Sequence, residues 1–71
     1  MQIQLNGENH TLAETCTLEE LVRELSLTPQ RVAIELNRSV VRRDHWAQTI
    51  LNEGDRVEIV HFVGGGSDRL R

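Results

Sequence analysis

The chain has 71 residues, enough for one domain with a small core and too few to enclose a deep substrate pocket, so its function is expected on the surface or at a terminus. Eleven acidic residues against eight basic ones give a formal charge of −3. The basic residues gather in no stripe that could follow a phosphate backbone, which points away from nucleic acid, and all eight are Arg, so no lysine is present for Schiff-base chemistry.

The first element is a strand. In Gln2-Ile3-Gln4-Leu5-Asn6 apolar and polar residues alternate, the period of a sheet with one buried face. This opening lacks the basic stretch and apolar run of a signal peptide, and no apolar run approaches the ~20 residues of a membrane span, so a cytoplasmic protein is expected. Asn6-Gly7 then signals a tight hairpin, because both central positions of a type I′ turn need positive φ. A second short strand is expected around residues 9–12.

A helix follows. Thr17 can cap it, Glu20 can close a capping box, and Glu19 and Glu20 suit the positive end of the helix dipole. Leu18, Leu21, Val22 and Leu25 fall on one face, with Glu19, Arg23 and Glu24 opposite. Pro29 marks a point by which the helix has ended. Cys16, the one cysteine, stands just before the helix and reads as a small apolar filler, since a single thiol can form neither an internal disulfide nor a thiolate zinc site. His10, His45 and His61 match no ligand spacing, so neither a metal site nor a cofactor is expected.

Val32, Ile34 and Leu36 alternate in a third strand, and Asn37-Arg38-Ser39 turns into the short pair Val40-Val41. Residues 42–51 have no clean period and are expected to be irregular, with one short helical turn and Trp46 packed against the sheet edge. Asn52-Glu53-Gly54-Asp55 is turn chemistry. Residues 56–63 form the last strand, apolar on both faces in its second half, as a central strand reads. Val57 and Ile59 are expected to face the helix. Glu58, Val60 and Phe62 are then left on the open face, where the two apolar residues start a partner-binding patch.

The order strand, strand, helix, strand, short strand, strand predicts an α+β fold: one mixed sheet wrapped around one helix, the β-grasp layout. Residues 1–63 would form the domain, 64–66 a glycine tail and 67–71 a C-terminal extension. Taken alone, Gly64-Gly65-Gly66 favours a flexible linker.

The context of those glycines reads differently. The segment Gly54-Asp55-Arg56-Val57-Glu58-Ile59-Val60-His61-Phe62-Val63-Gly64-Gly65-Gly66 resembles the C-terminal part of the ThiS family of ubiquitin-like sulfur carriers. Leu36-Asn37 with Val40-Val41-Arg42-Arg43 is similar to its LNG…VVPR stretch, Asp44-His45-Trp46-Ala47-Gln48-Thr49 to the acidic-x-Trp-Ala segment after it, and Ile3-Gln4-Leu5-Asn6-Gly7-Glu8 to its opening. Two departures stand out. Arg42 replaces a frequent Pro, and the chain continues past the glycines as Ser67-Asp68-Arg69-Leu70-Arg71, where family members usually stop.

The resemblance implies a protein that is a substrate and not an enzyme. Its terminal glycine carboxylate, here on Gly66, would be adenylated by a ThiF-like enzyme using ATP, then converted to a thiocarboxylate by a sulfur-donor relay. Thiazole synthase would take the sulfur for thiamine. Gly64 and Gly65 would thread the tail through the partners' slots, Val60 and Phe62 would dock the body, and a processing protease would first remove residues 67–71. Similar carriers serve molybdopterin, cysteine or methionine synthesis or protein tagging, and a β-grasp interaction module with a glycine linker is also compatible with the residues.

Overall fold

The computed structural model describes residues 1–62. Strand β1 (Gln2–Leu5) and strand β2 (Glu8–Thr11) form the N-terminal hairpin, joined at Asn6 and Gly7 with φ of 52° and 83°. Those two positive values are the ones Asn-Gly tolerates at least cost. Helix α1 (Leu18–Glu24) comes next, then a 3₁₀ turn (Pro29–Arg31), strand β3 (Val32–Leu36), strand β4 (Ser39–Val41), a second 3₁₀ segment (Arg43–Gln48) and strand β5 (Arg56–His61). The five strands form one mixed sheet in the order β2-β1-β5-β3-β4, with β1 and β5 parallel and the other neighbours antiparallel. This is the expected β-grasp layout, with the last strand at the centre. Among the described residues no helix is long and apolar enough to cross a membrane.

The capping box forms as the sequence predicts. The Glu20 amide donates to Thr17 Oγ1 at 3.1 Å, and the Thr17 amide donates to Glu20 Oε1 at 2.8 Å. The helix ends five residues before Pro29, by a different device. Ser26 takes a left-handed φ of 60°, its amide donates to the Arg23 carbonyl, and the Leu27 amide reaches back to that of Val22, both at 3.0 Å. That pair of bonds is a Schellman motif, with Ser where Gly is usual.

The core lies between α1 and one sheet face. Leu18, Leu21 and Val22 of α1 meet Ile3, Val32, Ile34 and Val57 of the sheet, with Leu25, Leu36 and Ile59 half-buried at the margin. Leu12, Trp46 and Leu51 complete it. Trp46 is buried and its indole N–H donates to the Val41 carbonyl at 2.8 Å, which ties the second 3₁₀ segment to edge strand β4. The other end of that segment is held at the helix start, where the Leu18 amide donates to the Thr49 carbonyl and the Leu51 amide to that of Cys16. An irregular stretch therefore seals the core because its polar backbone is satisfied at both ends.

Strand β5 is central, but its two neighbours do not accompany it equally. Strand β1 pairs only with Arg56 and Val57, whereas β3 pairs from Val57 through His61. Where β1 ends, Asn6 replaces it: its Oδ1 accepts from the Ile59 amide at 2.7 Å. Asn37 does the same at the start of the strand, accepting from the Arg56 amide at 2.9 Å while its Nδ2 donates to Asp55 Oδ1. Two turn asparagines thus hold β5 in register where strand partners are missing.

Candidate functional site

The sheet has one face under α1 and one face open. On β5 the buried Val57 and half-buried Ile59 point to the helix, so Arg56, Glu58 and Val60 point away, and alternation carries Phe62 to the same side. Val60 is 58% exposed and Phe62 47%. The register adds two residues that sequence reasoning did not attach to this face. Ala33 lies directly opposite Val60, and Val40, 71% exposed, lies opposite Glu35. Their place follows from strand pairing, which no local pattern reveals. Together they give an apolar surface over the half of β5 that leads to the C-terminus, and no described element covers it.

The polar end of the same face is formed by Gln4, Arg38 and Arg56, which line a shallow groove with Asn37 and Gly54. The apolar end is anchored at the last described residue, where the Phe62 amide donates to the Arg31 carbonyl at 2.8 Å. The backbone is therefore tied to the sheet up to a point two residues short of Gly64. Gly64, Gly65 and Gly66, with the expected acceptor, the threading tail and the extension 67–71, lie outside the described residues.

Cys16 is not placed for nucleophilic work. Its side chain is half-buried against the core, and burial, with the nearby Glu20 and Glu24 carboxylates adding to it, pushes the thiol above its ordinary value of 9.0. A thiolate is disfavoured there, which fits a packing role.

The chain matches the ThiS family over residues 3–66. It is 46% identical over 66 residues to a thiazole synthase of Magnetococcus marinus, covering 93% of this chain but only 20% of that protein, so it spans about a fifth of that relative's length. It is 32% identical over 66 residues to the sulfur carrier protein ThiS of Escherichia coli, with 93% of this chain and 100% of that protein covered. The crystal structure of the thiamine biosynthesis protein ThiS from Geobacter metallireducens superposes with a TM-score of 0.80 at 35% identity, covering 93% of this chain and 100% of that one. With a family match of that extent and a full-length relative sharing its fold, the chain belongs to the ThiS family.

Proposed function

We propose that the chain is a sulfur carrier for thiamine biosynthesis, activated and thiocarboxylated at Gly66. The observation that carries this reading is the extent of the family match, which runs to residue 66, the third glycine, and stops there. Gly66 supplies the reacting atoms. One carboxylate oxygen attacks the α-phosphorus of ATP and pyrophosphate leaves. A persulfide sulfur from the donor relay then attacks the acyl carbon and AMP leaves. A thiol cleaves the remaining S–S bond, and the thiocarboxylate stays on the carrier. The protein's own side chains perform none of these steps; it is the substrate of a ThiF-like adenylating enzyme.

The body's part is docking and reach. The exposed Val60 and Phe62 offer the enzyme an apolar patch beside the tail. Three residues, if extended at ~3.3 Å each, span about 10 Å, a length by which residues 64–66 could present the Gly66 carboxylate to a partner's slot. Glycine at 64 and 65 keeps the backbone free of Cβ atoms that would crowd a narrow slot. Residues 67–71 hold the Gly66 carboxylate in a peptide bond, so their removal by a protease precedes activation.

Thiazole formation is favoured as the sulfur's destination because a thiazole synthase contains a segment 46% identical to this chain. The test is delivery. A thiocarboxylated chain ending at Gly66, mixed with thiazole synthase and its other substrates, is expected to return to the mass of the carboxylate as thiazole forms. A carrier that keeps its sulfur there, while giving it up to a molybdopterin, cysteine or methionine system, would overturn the assignment.

A further inference from the structure

The open face carries a pair of like charges that the fold itself does not use. Glu35 of β3 and Glu58 of β5 are direct partners across the antiparallel pair. That places their Cβ atoms about 4.5–5.5 Å apart on one face, an arrangement that destabilises a sheet. Among the described residues the ion pairs are Arg23–Glu19 and Arg42–Asp44, and no hydrogen bond reaches either the Glu35 or the Glu58 carboxylate. Arg56, on the same strand and face as Glu58, lies two residues away and forms neither contact.

The surroundings sharpen the contrast. Glu35 faces the exposed Val40 on its other side, and the next rung of the same face is Ala33 opposite Val60. Glu58 is half-buried although it belongs to the open face. Two carboxylates thus stand together, with apolar Ala33 and Val60 on one side along the strands and Arg56 on the other, in a position where Gln or Thr would satisfy the sheet equally well. The frustration is removed if a cation arrives from outside. A guanidinium suits the spacing, since its planar fork can donate to two carboxylates at once.

We propose that Glu35 and Glu58 together form the recognition site for an arginine of the protein partner that docks over Val60 and Phe62. The apolar residues supply the contact area and the carboxylates fix register and choice of partner, because a surface lacking the cation would leave two charges covered and unpaired. The proposal rests on the sulfur-carrier reading, through the identity of the partner used in its test.

The experiment uses the chain ending at Gly66 and a purified ThiF-like adenylating enzyme, with affinity measured by calorimetry at low and high salt and stability by urea denaturation. The double variant Glu35→Gln, Glu58→Gln should be at least as stable as the parent and bind about tenfold more weakly at low salt, with the gap closing as salt rises. A control that removes two charges elsewhere, Glu14→Gln with Glu24→Gln, should bind like the parent. Unchanged affinity in the double variant, or an equal loss in the control, overturns the proposal. If Phe62→Asp abolishes binding while the double variant binds normally, the docking face stands and the carboxylate site falls. A parent that does not bind the enzyme overturns both. If restoring residues 67–71 weakens binding of the parent alone, the occupant is the chain's own Arg69 or Arg71. Dimerisation that depends on the two carboxylates would make it a second copy. Either result contradicts the proposal.

Discussion

The β3–β4 turn places two adjacent residues in the same unusual conformation for different reasons, and glycine substitutions there should act with opposite sign. Asn37 has φ of 52° and Arg38 of 75°, both in the left-handed region. Asn is at home there, but Arg has a Cβ that the conformation penalises by roughly 1–2 kcal/mol. No hydrogen bond or ion pair among the described residues engages the Arg38 side chain. Arg38→Gly therefore relieves the strain, while the greater freedom of glycine in the unfolded chain takes back about 0.5–1 kcal/mol. The net expectation is a gain of about 0.5–1 kcal/mol, which is roughly 2–8 °C in Tm for a domain of this size. Asn37→Gly gains almost nothing in backbone strain and removes both side-chain bonds that hold Arg56 and Asp55. With each bond contributing about 0.5–1.5 kcal/mol, the loss should be about 1–2 kcal/mol after allowance for solvent access. Thermal denaturation followed by circular dichroism reads both. A lower Tm for Arg38→Gly, or shifts of the same sign at the two positions, would refute the reasoning about strain and about Asn37 as a substitute strand partner.

Two further outcomes are expected. Leu21 is fully buried between α1 and the sheet, so Leu21→Ala should cost ~2–5 kcal/mol in urea denaturation, whereas Ile50→Ala, at an exposed site, should change stability by under about 0.5 kcal/mol; a loss well below 1 kcal/mol at Leu21 would remove it from the core. The Cys16 thiol has a raised pKa in the fold, so the stability it contributes is fully present below the ordinary value of 9.0 and is lost as pH rises beyond it. Its alkylation by iodoacetamide at mildly alkaline pH should be slower than that of a cysteine peptide, and equal rates would contradict the burial.

Much of the fold was readable because local and global preferences agree. Asn6-Gly7 fixes the hairpin, Thr17 and Glu20 fix the helix start, and period two at Val32, Ile34 and Val57 gives the buried sheet face. The parity of Val57 also places Val60 and Phe62 outward, as found. What stayed hidden depends on tertiary context. Ser26 ends α1 by adopting a left-handed φ, a role its residue type does not announce. Leu12 stands beside Ala13 and Leu51 beside the exposed Ile50, both outside any periodic run, so no periodicity marks them as core. The neighbours of the open face, Ala33 and Val40, and the opposition of Glu35 to Glu58 follow from the β3–β4 and β3–β5 registers alone.

The central claim is that Gly66 is the sulfur acceptor once its carboxylate is free. Three chains, the full sequence and versions ending at Gly66 and Gly65, would be incubated with adenylating enzyme, ATP and a sulfur donor, and their intact masses compared. The chain ending at Gly66 should gain the mass of one oxygen-to-sulfur exchange, the full chain should keep its mass until a protease trims it, and the Gly65 version should be a poor acceptor. Thiocarboxylate on an uncleaved full chain, or equal conversion of all three, would contradict the account.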